Sequence, residues 1–90
     1  MSVVAPKKRV KRKEQIVEKH GLILFNDDVN SFDHVIDCLM NICEHEMVQA
    51  EQCAWIVHTN GKCLVKTGTL GEVQSMCLKL VSQGLSAKVD

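Results

Sequence analysis

Leu22-Ile23-Leu24-Phe25-Asn26-Asp27-Asp28 is the stretch on which the fold turns, because four apolar residues stop abruptly at an amide and two carboxylates. A short continuous apolar run ended by turn-forming residues reads as a strand covered on both faces. The turn leads directly into a helix start. Asn30 or Ser31 can cap that helix, and Asp33 falls in its first turn, where exposed backbone N–H groups favour negative charge. A strand of this kind carries hydrogen-bond acceptors to the mouth of a helix, where a small cation can dock.

Working outward, Phe32, Val35, Ile36, Leu39, Met40 and Cys43 recur at spacings of three and four, which predicts one helix with a single apolar stripe. Glu44-His45-Glu46 interrupts it. A second stripe of Ala50, Cys53, Ala54 and Val57 runs to the turn pair Asn60-Gly61, with Ala54 and His58 four apart on one face. Lys62 to Thr67 follows that turn and predicts a strand. Thr69-Leu70-Gly71-Glu72 has the capping-box pattern, Val73, Met76, Cys77, Leu80 and Val81 continue a third helix, and Gly84 can close it in a left-handed conformation. Leu85 to Val89 alternates as a last strand. The order β-α-α-β-α-β predicts an α+β fold, a small three-stranded antiparallel sheet packed on three helices.

Ninety residues make one domain. Residues 1–19 hold Pro6, the chain's single proline, and the cluster Lys7, Lys8, Arg9, Lys11, Arg12 and Lys13, so they are expected to form a flexible basic arm ahead of a core domain at 20–90. The body keeps Lys62, Lys66, Lys79 and Lys88 against nine acidic residues. An acidic body disfavours a phosphate backbone and suits a cationic ligand. Five cysteines without paired spacing read as buried reduced thiols. No apolar stretch has the length of a signal peptide or a membrane span, so a cytoplasmic protein with no membrane partner is expected.

Other chemistries find little support. Cys43, His45, Cys53 and His58 are zinc-type ligands without the tight pairs of a structural site, so no metal and no cofactor are expected. Asp28 and His58 could act as an acid/base pair, but no plausible nucleophile lies near them in sequence and no glycine loop could cradle a phosphate. Trp55 reads as packing, since one aromatic cannot form a stacking platform for nucleic acid.

The strand ending in Asn26-Asp27-Asp28, the helix from Phe32 to Cys43, the segment from His58 to Lys62 and the Thr69 helix start together resemble the ClpS family. The resemblance runs through residues 21–90, with a one-residue insertion near Gly71. It implies a non-catalytic adaptor that recognises N-degrons and hands the proteins bearing them to a Clp AAA+ ATPase and its protease, acting through the ATPase's N-terminal domain. It further implies that the Asn26-Asp27-Asp28 turn and His58 hold a free α-amino group, while Asn30, Phe32, Val35, Ala54 and Leu85 line a pocket for the first side chain. The physics agrees: an α-ammonium has three donors and a positive charge, Asn26 offers an amide oxygen, Asp28 a carboxylate and neutral His58 a ring nitrogen. Asp27 acts through local charge or by holding the turn.

The chain departs from the family pattern at Asn30, Ser31 and Phe32, where threonine, proline and methionine are usual, and at Ala54, where many relatives place methionine. Alanine enlarges the pocket wall there, and Phe32 can take the space back, so leucine and aromatic first residues are expected to be preferred. For docking the ATPase, Glu72 matches an acidic family position, whereas Cys77 stands at the position of a lysine and leaves Lys79 as a displaced candidate. The arm matches the family's N-terminal extension. The expected partners are thus substrate N-terminal segments and the ATPase, with no nucleic acid and the chain a monomer. The alternative is a ribosome- or nucleic-acid-associated domain acting through the basic arm, since the element order is also similar to the C-terminal domain of the ribosomal stalk protein. The acidic body and scarce aromatics count against it.

Overall fold

The computed structural model describes residues 18–90; all but the last two residues of the basic arm expected at 1–19 lie outside that range. The elements are β1 (His20–Phe25), α1 (Phe32–Ile42), α2 (Met47–Asn60), β2 (Lys62–Gly68), α3 (Leu70–Ser82) and β3 (Ser86–Val89). This is the predicted order. β1 is the central strand of a three-stranded sheet ordered β2-β1-β3, and both pairings are antiparallel.

Leu22 and Leu24 on β1 are buried against the helices, whereas Ile23 and Phe25 on the opposite face are only partly covered. The expectation of a strand covered on both faces is therefore corrected. Among the described residues a helix layer packs on one side of the sheet alone, and successive side chains of a strand point to opposite faces. Leu22 and Leu24 join Leu39 of α1 and its C-cap Cys43, Ala50, Cys53 and Val57 of α2, and Val73 and Leu80 of α3 in one core.

The pairing of β1 with β2 slips between Leu22, opposite Lys66, and Ile23, opposite Leu64, so Val65 is an extra residue on β2. A bulge of this kind leaves its residue outside the ladder. The Val65 carbonyl accepts instead from Nε2 of the buried His45 at 2.7 Å, which fixes the ring's proton on that nitrogen. His45 leaves α1 through Glu44, which has a φ of 60°, and its N–H donates to the Leu39 carbonyl. The segment that breaks the helical stripe thus latches the α1–α2 connection to the sheet.

Cys38, Cys43 and Cys53 are buried, while Cys63 and Cys77 are half-buried, and all five are free thiols. Burial raises the Cys43 thiol to about 11 and the Cys53 thiol to about 12, the latter with a further push from neighbouring Cys63. Cys43 and Cys53 are therefore inert core residues at neutral pH. The expectation that every cysteine is buried is corrected for Cys63 and Cys77. Cys63 sits on an edge strand, and Cys77 lies on the flank of α3 beside β3.

A recess between the strand end and two helices

Three contacts that are distant in sequence build the candidate site. The Asn26 N–H donates to the Gly61 carbonyl at 2.9 Å and ties the end of β1 to the end of α2. Gly61 caps α2 at a φ of 91°, a conformation that favours glycine, so Asn60-Gly61 stops this helix just past His58. Asn30 Nδ2 donates to the Gly84 carbonyl at 2.9 Å, and His34 Nε2 donates to the Gln83 carbonyl, also at 2.9 Å. These two bonds tie the start of α1 to the turn before β3 and bring Leu85 to the same place.

The recess that results has a volume of about 380 Å³ and is lined by Leu24, Phe25, Asn26, Asp27, Asp28, Asn30, Phe32, Val35, Ala54, Val57, His58 and Leu85. All nine residues expected at the ligand site border it. Leu24, Ala54, Val57 and Leu85 are buried and form an apolar floor, whereas Asn26, Asp28 and His58 are exposed at its edge. Leu24, Phe25 and Val57 are additions. Val57 was recoverable from helical spacing, since it follows Ala54 by three and precedes His58 by one.

The turn itself is organised by Asp27. One carboxylate oxygen accepts from the N–H groups of Val29 and Asn30 at 2.9 and 2.8 Å, and the other accepts from Asn30 Nδ2 at 2.8 Å. The backbone N–H of Asn30 first, aided by its side-chain amide and the Val29 N–H, holds the Asp27 carboxyl below the usual carboxylate range against the opposing effect of burial. With Asn30 spending amide hydrogens on Asp27 and on Gly84, its side chain has only an oxygen left to offer. Of the two caps allowed by sequence, Ser31 is the one used: its hydroxyl accepts from the His34 N–H at 3.1 Å. Among the described residues, the side chains of Asn26, Asp28 and His58 enter none of these bonds.

Phe32 and His58 meet edge to face with ring centroids 5.9 Å apart, and Trp55 lies 6.1 Å from Phe32 and 6.0 Å from His58. Trp55 is 59% exposed, so its expected packing role is corrected. It follows the inward-facing Ala54 by one residue, and a helix turns about 100° per residue, which carries it out of the core. Adjacency to Ala54 and a spacing of three from His58 were the signals for it.

The two residues expected to dock a partner lie on α3. Glu72 is exposed and closes a capping box, its Oε1 accepting from the Thr69 N–H at 2.9 Å and the Thr69 hydroxyl at 3.1 Å, while Thr69 Oγ1 accepts from the Glu72 N–H at 3.3 Å. The backbone N–H of Thr69 first and its hydroxyl second lower the Glu72 carboxyl from its ordinary value. Lys79 is exposed seven residues later and shares that helical face. Cys77 turns inward, with Sγ 3.4 Å from the Ala87 carbonyl of β3. No three His, Cys, Asp or Glu side chains among the described residues converge where a metal could sit, and no helix there is long and apolar enough to cross a membrane.

Residues 8–88 match the family model described as ATP-dependent Clp protease adaptor protein ClpS, a match that begins inside the basic N-terminal cluster. Curated ClpS adapter proteins from Campylobacter jejuni subsp. jejuni strain 81-176 and subsp. doylei strain 269.97 are 43% and 45% identical over 42 residues, 47% of this chain. Those residues span 44% of each relative's length. The solved structure of Agrobacterium tumefaciens ClpS2 bound to L-phenylalaninamide shares the fold with a TM-score of 0.78 at 14% identity, covering 81% of this chain and 95% of that one.

Proposed function

This chain belongs to the ClpS family of Clp protease adaptors, and we propose that it binds the free α-amino group and bulky hydrophobic first side chain of N-degron substrates and delivers them to a Clp AAA+ ATPase and its protease. The observation that carries this reading is the division of the recess into a buried apolar floor and an exposed rim of acceptors. A peptide's first residue has the matching division, with an ammonium of three donors beside one side chain. Capture of an N-terminal amine is an established mode of peptide recognition.

In this reading Asn26, Asp28 and His58 receive the ammonium, and Asp27 holds the turn that presents them. The Asn30 oxygen joins the same acceptor rim. The first side chain enters between Phe32, Val35, Ala54 and Leu85. Burying a leucine or phenylalanine there contributes about 1.5 to 3 kcal/mol, too little for tight binding alone. The amine contacts therefore carry much of the affinity. The ligand of the Agrobacterium structure, L-phenylalaninamide, pairs a free amine with an aromatic side chain. For delivery, Glu72 and Lys79 on the outer face of α3 are the docking residues for the ATPase's N-terminal domain, with the basic arm engaged by the ATPase.

The test compares two labelled peptides that begin with leucine, one with a free N-terminus and its acetylated twin, by fluorescence anisotropy. The free peptide binds. Acetylation removes the charge and two donors and leaves the rim acceptors desolvated without partners, so affinity falls by at least about tenfold. Equal binding of the two would remove the basis of the reading.

A further inference from the structure

Trp55 is the feature that the recess does not use. It is the chain's single tryptophan and is 59% exposed, yet it stands against two residues of the recess wall, with its ring about 6 Å from those of Phe32 and His58. It does not itself line the cavity. Indole is costly to leave in water, and its electron-rich face attracts planar and cationic groups. We propose that Trp55 is a platform for the second side chain of the bound N-terminus, favouring arginine and aromatic residues there over small ones.

This inference rests on the amine-capture reading and extends it by one residue. With the first side chain on the Ala54 floor and its amine at His58, the next residue lies about 3.3 Å further along an extended chain, and its side chain points away from the first. A ring centred 6.0 Å from the His58 ring and standing outside the cavity is within reach of that side chain. Phe32 supports the indole through an edge contact at an interplanar angle of 66°, which holds it beside the rim. Arginine fits the platform best because its guanidinium is planar and weakly hydrated, so it can stack on the ring. Exposed contacts of this type correspond to about two- to fivefold in affinity.

The experiment measures three free peptides, identical except for alanine, arginine or tyrosine after a leading leucine, together with the acetylated alanine peptide. Each is titrated against the full chain and against Trp55→Leu, which keeps an apolar side chain on the helix. The expected result is tighter binding of the arginine and tyrosine peptides to the full chain, with that advantage gone in Trp55→Leu and the alanine peptide within about twofold of its original affinity. Three outcomes would overturn the platform. One is no second-residue preference in the full chain. Another is a preference that survives in Trp55→Leu, which assigns it to the rim carboxylates. The third is equal weakening of all three peptides, which makes Trp55 only a buttress for Phe32 and His58. Equal binding of the acetylated peptide instead marks failure of amine capture itself.

Discussion

The starts of α1 and α3 are assembled from the same parts, a hydroxyl cap and a carboxylate within a few residues of it, yet only the first borders a recess. At α3, Thr69 and Glu72 bond each other's N–H groups, and every member of the box lies within three residues. At α1, Ser31 caps the helix, and the carboxylate of Asp27 serves the preceding turn. Asn30 then reaches 54 residues along the chain to the Gly84 carbonyl, and His34 reaches 49 to Gln83. The α3 start is a local stop-and-go signal; the α1 start is a joint between distant parts of the chain. The difference teaches that a helix terminus comes to border a recess through what is docked beside it and not through its own capping chemistry.

The largest effect should come from breaking the joint. Asp27→Ala removes one side-chain and two backbone partners in a half-buried setting and is expected to lower stability by about 2 kcal/mol in urea unfolding. It should also weaken a leucine-first peptide by at least about tenfold, because Asn26 and Asp28 lose their common frame. Undiminished peptide binding would show that the turn does not organise the rim.

Acid should erase the same contribution. The folded Asp27 carboxyl is held below its unfolded value of about 3.9, so its stabilisation is complete above that pH and is lost as pH falls through the folded value. The stability gap between the full chain and Asp27→Asn should therefore narrow steadily from pH 5 toward pH 2 in thermal melts. A gap that is constant over that range would mean the charge of Asp27 is irrelevant.

Thr69→Ala sharpens the contrast from the other side. Loss of this cap should cost about 1 kcal/mol and leave peptide affinity unchanged, since the α3 start stands apart from the recess. A parallel loss of affinity would erase the distinction between the two starts. The smallest effect should come from Gly71→Ala in the first turn of α3, where an added Cβ meets nothing within 4 Å. It should raise stability by about 0.5 kcal/mol by restricting the unfolded chain, again without a change in binding.

Much of this molecule is legible in its amino-acid sequence. The element order and the α3 capping box follow from short-range rules, because helix periodicity and caps are properties of neighbouring residues. The recess residues were reached through resemblance to a family and not through spacing, and the bare pattern left Asn30 and Ser31 as equal candidates for one cap. In the folded chain the Ser31 hydroxyl takes the cap, while the Asn30 side chain is held by the bonds of its amide nitrogen to Asp27 and to the distant Gly84 carbonyl. Trp55 departs from its sequence expectation for a related reason. Composition counts aromatic residues but does not say which flank of a helix the neighbouring strand and helix leave open.

The order of strands and helices, their caps and most of the buried stripe were determined by the amino-acid sequence alone, since each depends on residues within one or two turns of one another. Only the tertiary structure decided that the bulge at Val65 would be latched by His45 and that β1 would be covered on one face. It alone placed Asn26 beside Gly61 and Asn30 beside Gly84. These depend on chain-distant groups meeting in three dimensions. The recess exists only where those meetings hold its walls together.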